Sequence, residues 1–381
     1  MARLTLISVI GLLASVPWAH ARFDSTLQTN LAVYWGQNSY GTVNSQQRLS
    51  AYCSMTQINI IPIAYMNGIN TPSINLTTSN NNCSAYTGSQ LLDCAQLEND
   101  IKICQKTYGK TVMLTLGGTT FNEVGFESVA KAEEAAVRVW QLFGPAIATE
   151  NRPFRTAVID GFNFDFKSSA TNIVAFAAKL RAITDNNFSL PWLSGGSNAQ
   201  KKTYLAASPS CSFPNPSMND ILANVYLDMV FVQFYDSSCG ANTFLSNFAS
   251  SSQPQIQPNF NLRTWNTWAT SLSVNKDVKI FVGLPAGVAA ANSGYVYGDQ
   301  LCAIITFAKT FSNFGGVVLW DMTSQISHIN DLDLVNSKRL EYWNSRGIVD
   351  FASIDFIRDY FVPAEHHSHP VFARYLSFFF V

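Results

Sequence analysis

The sequence predicts a single α/β domain, a (β/α)8 barrel, and three observations predict it. Eight strand-like runs recur along the 381 residues, at 31–36, 58–66, 111–117, 156–167, 203–208, 227–235, 278–284 and 315–321. Helix-length segments separate them, which is the repeated strand-then-helix unit of such a barrel. The third observation is the stretch Val158–Lys167, where Phe162, Phe164 and Phe166 alternate with Asn163, Asp165 and Lys167. Strand side chains point to opposite faces with period two, so the rings share one face and the polar groups the other. Alone, that pattern equally describes a half-exposed antiparallel strand. Leu31–Tyr34, Ile58–Ala64, Val112–Leu116 and Ile280–Leu284, however, are nearly continuous apolar runs of the kind covered on both faces in parallel sheets. A polar file inside such a sheet marks the mouth of a barrel.

In chain order, Arg3, the apolar segment Leu4–Val16 and Ala19-His20-Ala21 have the pattern of a secretory signal, which places the mature start near Arg22. The apolar segment is shorter than the roughly 20 residues a spanning helix needs. Helices are expected over Val129–Phe143, which is alanine-rich, and over Ile173–Ile183. Asn186–Gln200, with Pro191 and Gly195-Gly196, reads as a long loop before the fifth strand. From Ser324 the texture changes: part of 324–345 is expected to supply the closing helix, beyond it the chain shows no packing logic, and 326–381 is set apart as a C-terminal extension. The expected division is therefore a signal peptide at 1–21, a barrel at 22–325 and that extension.

With 24 Lys and Arg against 25 Asp and Glu, no charge imbalance points to nucleic acid or to an anionic membrane, and the expected partner is neutral. Aromatics at 13% suit a protein that presents rings to an uncharged ring-shaped ligand, and suit a large core equally. His366, His367 and His369 match no zinc-site spacing, so neither metal nor cofactor is expected. Seven cysteines in an exported chain are candidates for disulfides with one left over, and spacing alone does not choose the pairs. Asn75, Asn82 and Asn187 begin glycosylation sequons, whereas Pro216 blocks the one at Asn215.

Working residues of such barrels sit at the C-terminal ends of the strands. Here those ends read Tyr34-Trp-Gly-Gln37, Tyr65-Met-Asn67, Leu116-Gly-Gly118, Asp165-Phe-Lys167, Ala207-Ser-Pro209, Gln233-Phe-Tyr-Asp236, Leu284-Pro-Ala286 and Leu319-Trp-Asp321. Tyr, Trp and Gln supply the stacking surfaces and hydrogen bonds that a sugar needs.

At these ends the chain resembles glycoside hydrolase family 18, specifically the hevamine-like class III chitinases of plants and fungi. Tyr34–Asn38, Val112–Gly118, Asp160–Asp165, Val232–Tyr235 and Gly315–Trp320 fall in family order, and the likeness runs from about residue 31 to 322. It implies a TIM barrel, a cleft for β-1,4-linked N-acetylglucosamine polymers, and disulfides Cys53–Cys104, Cys83–Cys94 and Cys211–Cys239, with Cys302 free.

The family pattern DGxDxDxE corresponds here to Asp160, Gly161, Asn163, Asp165 and Lys167. In the family the substrate's own acetamide attacks the anomeric carbon and the glutamate protonates the leaving oxygen. The resemblance therefore gives Asp165 and Tyr235 orienting roles, and sets Lys167 at the general acid's position and Asn163 at the middle aspartate's. An ammonium with a pKa near 10.4 is a poor acid at neutral pH, and a cation beside a developing oxocarbenium opposes it. Loss of a general acid typically removes about 10²- to 10⁴-fold in rate. Tyr34, Gln37, Tyr65, Gly118, Gln233, Asp236 and Trp320 are the expected substrate-binding residues, with Asp236 the one spare carboxylate and Thr115 replacing a serine.

The expected protein is a secreted, monomeric chitinase-like barrel, extracellular or in the cell wall, that binds chitin or chito-oligosaccharides with hydrolysis lost or strongly impaired. The alternatives are an active endochitinase with a substitute acid and a protein-binding, inhibitor-like barrel.

Overall fold

The computed structural model describes residues 22–77, 83–145, 151–189, 202–246 and 257–324. The expected signal peptide, the sequon at Asn82, the closing helix, the histidine cluster and the extension at 326–381 lie outside the described residues. Eight parallel strands form the central sheet: β1 (Asn30–Val33), β2 (Ile60–Gly68), β3 (Thr111–Gly117), β4 (Gly161–Asp165), β5 (Tyr204–Ala207), β6 (Met229–Gln233), β7 (Lys279–Pro285) and β8 (Phe314–Trp320). Each pairs with its neighbour in chain order, and β1 pairs both with β8, where Leu31 faces Val317, and with β2, where Ala32 faces Ile60. The sheet is thus a closed barrel and leaves no parallel edge exposed. A short strand, Ser73–Ile74, adds antiparallel to the end of β2.

Seven helices connect the strands among the described residues: α1 (Leu49–Tyr52), α2 (Ala95–Lys106), α3 (Val129–Phe143), α4 (Ile173–Ser189), α5 (Asn219–Asn224), α6 (Leu262–Thr267) and α7 (Gly298–Lys309). Helix α3 has the bounds its composition predicts. Ser128 caps it by accepting from the Lys131 amide at 3.2 Å, and Ala132, Ala136, Val139, Trp140 and Phe143 form the buried stripe of a 3.6-residue period. Helix α4 runs six residues beyond the predicted Ile183, so Asn186–Ser189 is helical and not loop. Nothing before Pro191 breaks the helix, and a proline disfavours the helical region only for the residue immediately before it.

The core has two layers. Phe162, Phe164 and Phe166 pack outward under the helices, where the Phe164 ring meets Phe176 of α4 at 6.3 Å. Inside the barrel Ala32, Ile60, Met113, Ala206, Met229, Phe231 and Phe281 form a smaller cluster. Phe23 closes it from below, edge-on to Tyr204 at 5.2 Å. Three disulfides, Cys53–Cys104, Cys83–Cys94 and Cys211–Cys239, tie helices and loops on the outside, and Cys302 on α7 belongs to none of them. No helix among the described residues is long and apolar enough to cross a membrane.

Candidate active site

The alternation of β4 works as read for Asn163 and Asp165, which point into the barrel. The polar face is nonetheless as buried as the apolar one, because a closed barrel covers both. β4 ends at Asp165, so Lys167 lies just past the strand with its side chain 39% exposed at the mouth. Its ammonium turns back onto the strand. Nζ donates to Asp165 Oδ1 at 2.6 Å and to Gln233 Oε1 on β6 at 2.9 Å, and Gln233 Nε2 donates to the same Asp165 oxygen at 3.1 Å. Lys167, Asp165 and Gln233 therefore form a closed triangle. Asp165 Oδ2, also buried, makes no hydrogen bond.

One layer deeper, the Asn163 amide donates to the Tyr34 hydroxyl at 3.0 Å and to Thr115 Oγ1 at 3.3 Å, and accepts from Ser208 Oγ at 2.9 Å. Tyr34 and Ser208 hydroxyls are 2.7 Å apart and close this ring of neutral groups. Asn163 does not hydrogen-bond Asp165. It is occupied instead by Thr115 on β3 and by Tyr34 and Ser208 just past β1 and β5. Ser208 carried no assigned role in the sequence, although it sits at the end of the fifth strand run; only the register, which sets Thr115 beside Asn163 and Asn163 beside Ala206, brings these residues together.

Aromatic rings form the floor. Trp320 stacks on Tyr65 at 5.8 Å with 27° between planes and meets Tyr34 edge-on at 5.2 Å. Gly118, with φ of +88°, is required here: a Cβ would lie 2.7 Å from the Tyr65 ring. Burial, reinforced by the Asp165 charge, raises the hydroxyl pKa values of Tyr34 and Tyr65 above the ordinary 10.0. Tyr235 is raised as well, by burial first and then by Tyr34 and Asp165. At neutral pH all three are neutral hydroxyls that can donate a hydrogen bond.

Two expected ligand contacts are already engaged within the protein. Gln37 Nε2 donates to the carbonyls of Gly36, Ala64 and Asn75, so it braces the ends of β1 and β2 and has no N–H left for a ligand. Asp236, exposed with φ of +51°, accepts at Oδ1 from the backbone amides of Asn292 at 2.7 Å and Ser293 at 3.0 Å, and so clasps the loop after β7. Asp321 is likewise engaged, by Ser39, Thr323 and the Ser324 amide. Among the described residues no group of three His, Cys, Asp or Glu side chains is placed to hold a metal ion. The arrangement holds an aromatic floor, the Tyr65 and Tyr235 hydroxyls and one buried carboxylate oxygen without a hydrogen bond, while the Tyr34 proton is committed to Ser208 Oγ. It offers no carboxylic acid in contact with Asp165.

The sequence profile of glycosyl hydrolases family 18 matches residues 30–309. The chain is 38% identical over 339 residues to Endochitinase 33 of Trichoderma harzianum, covering 88% of this chain and 99% of that one. Its fold is similar to that of the solved ICChI chitinase from Ipomoea carnea, with a TM-score of 0.61, 28% identity, and coverage of 80% and 99%. It is similar also to the xylanase-alpha-amylase inhibitor protein XAIP-I, solved in complex with trehalose, with a TM-score of 0.60, 25% identity, and coverage of 81% and 99%. A closed parallel barrel with an aromatic-floored mouth and a family match across most of its length identify the chain: it belongs to the glycosyl hydrolases of family 18.

Proposed function

We propose that this barrel binds chitin or chito-oligosaccharides and that its hydrolytic activity is lost or strongly impaired. Lys167 stands at the general acid's position in this reading and Asn163 at the middle aspartate's. The observation that carries it is the triangle at the mouth, in which the Lys167 ammonium is 2.6 Å from Asp165 Oδ1 and 2.9 Å from Gln233 Oε1. An ammonium locked onto a carboxylate is a poor proton donor to a leaving oxygen, and it neutralises the charge that would steady a cationic intermediate. Binding needs only the cleft. Trp320, Tyr65 and Tyr34 provide a stacking floor for the apolar face of a pyranose, and Asp165 Oδ2 is free to accept from an acetamide N–H.

The reading includes export of the chain after removal of residues 1–21, an extracellular or cell-wall location consistent with three disulfides, a monomeric state, and a C-terminal extension at 326–381. Mass spectrometry of an N-acetylglucosamine hexamer incubated with the protein and with Lys167→Glu tests it. The native protein is expected to leave the hexamer intact while binding it in a parallel calorimetric titration. Shorter products from the native protein, or no heat of binding, overturn the reading.

A second reading, an active endochitinase with a substitute acid, draws on the 38% identity to a protein named an endochitinase. Asp236 is its candidate, and the two backbone amides on Asp236 Oδ1 weigh against it, because they hold that oxygen as an acceptor.

A further inference from the structure

The sequon Asn75-Leu76-Thr77 lies at the mouth of the barrel, directly after the short strand Ser73–Ile74. Its asparagine pairs with Tyr65: the Tyr65 amide donates to the Asn75 carbonyl and the Asn75 amide to the Tyr65 carbonyl, each at 3.0 Å. Residues directly opposite in an antiparallel pair project from the same face. The adjacent pair, Met66 and Ile74, packs in the outer core under the helices, whereas Tyr65 belongs to the inner cluster and stacks on Trp320. Asn75 therefore projects on the Tyr65 side, toward the mouth.

The backbone of the sequon is firmly held and the side-chain amide is not. The Asn75 carbonyl accepts a second bond, from Gln37 Nε2 at 2.9 Å, and both the Thr77 amide and Thr77 Oγ1 donate to the Gly36 carbonyl at 3.0 Å. Among the described residues Asn75 Nδ2 reaches Thr120 Oγ1 alone, at 3.5 Å, which is the outer limit of a hydrogen bond. The Asn75 side chain is half-buried, so that nitrogen is neither enclosed by the core nor tied to it. A fixed backbone sets the direction of the Cα–Cβ bond, and a group carried on Nδ2 starts beside the Tyr65 ring.

We infer that Asn75 is an N-glycosylation site whose innermost sugars lie over the Tyr65 end of the aromatic floor and compete there, within the same molecule, with free oligosaccharide. This rests on the proposed export and chitin-binding readings and adds a built-in competitor to them. In the acceptor step Asn75 Nδ2 bonds to C1 of an oligosaccharide carried on a lipid pyrophosphate, the C1–O bond to the pyrophosphate breaks, and the amide proton leaves with the pyrophosphate. Thr77 is bonded to Gly36 in the fold, so the sequon is open to a transferase only before the ends of β1 and β2 come together. N-linked glycans begin with a β-1,4-linked pair of N-acetylglucosamines, the same unit the mouth is proposed to bind. A tethered ligand acts at about millimolar effective concentration, so this pair, itself weakly bound, lowers the affinity for a free hexamer several-fold without abolishing it.

The test is peptide mass mapping of the full chain secreted from a eukaryotic host, with calorimetric titration of N-acetylglucosamine hexamer into that protein, into Asn75→Gln and into Thr77→Ala. The expected result is a glycan on Asn75 and hexamer affinity about fivefold tighter in both variants, which break the sequon at different residues. Thr77→Ala keeps the asparagine, so it separates the effect of the glycan from any contact the amide makes with the ligand. An unmodified Asn75 in the secreted protein overturns the inference. A glycan on Asn75 with equal hexamer affinity in all three proteins also overturns it, and leaves the chitin-binding reading standing. No binding by any of the three overturns the chitin-binding reading itself and the competition with it.

Discussion

Lys167 and Asp165 are two residues apart, and that short separation has opposite consequences for stability and for chemistry. Asp165 is fully buried, so its charge depends on the Lys167 ammonium and the Gln233 amide. Lys167→Met should lower stability by about 1–2 kcal/mol, less than for a fully buried pair because the ammonium is partly solvated. Denaturant unfolding of the two proteins checks this. Ser208→Ala is a sharper probe of the inner ring: it leaves Asn163 Oδ1 without its hydroxyl donor and removes a partner of Tyr34, an expected cost of about 1–3 kcal/mol by the same measurement. Asn163 and Asp165 were legible because they lie along one strand with period two, and Lys167 follows just past its end. Ser208 was not, because a serine at a strand end has no signal until the register says what faces it.

Among the elements, the loops after β5 and β6 depend on a covalent tie. Cys211–Cys239 joins them across 28 residues, and the Cys211 carbonyl accepts from Trp265 Nε1 at 3.0 Å and Asn261 Nδ2 at 2.7 Å. Closing a loop of that length contributes about 3–4 kcal/mol in the chain-entropy account. Replacing both cysteines by serine is therefore expected to lower the denaturant midpoint by a corresponding amount while circular dichroism keeps the barrel signature. No spacing in the sequence chose this pair; the family resemblance implied it. Helix α3 was legible to the residue through its alanine-rich spacing, and the structure adds the Ser128 cap. The end of α4 was not, since Pro191 and Gly195-Gly196 made the stretch from Asn186 read as loop although the helix runs on to Ser189.

For the whole molecule, stability should change with pH through Lys110, fully buried near the start of β3. Its ammonium donates to the Met55 and Ile58 carbonyls at 2.7 and 2.6 Å, and burial pushes its pKa down to about 8 from 10.5. Between these values the unfolded chain holds the proton and the folded chain has released it, so stability rises with pH. The tyrosines of the site have the opposite sign. Their pKa values are raised above 10.0, so beyond that pH the folded state holds protons the unfolded state has lost, and stability falls. Unfolding free energies measured from pH 7 to 11 should therefore climb above about pH 8 and turn over near pH 10. Lys110→Met should be less stable throughout and lack the climb.

The sequence by itself determined the barrel, because eight apolar runs with helical segments between them have one economical closed arrangement, and it placed nearly every polar residue of the mouth at a strand end. The tertiary structure decided how those residues are used. It committed the Gln37 amide to three carbonyls, set Asp236 as the clasp of a loop, gave Asn163 to Tyr34, Thr115 and Ser208, and closed Lys167 onto Asp165 and Gln233. Strand propensity and apolar period are local properties that a chain carries along its length. Hydrogen-bond partners at the mouth come from residues as far apart as Ser39 and Asp321, 282 positions along the chain, and only the register of a closed sheet brings them within reach.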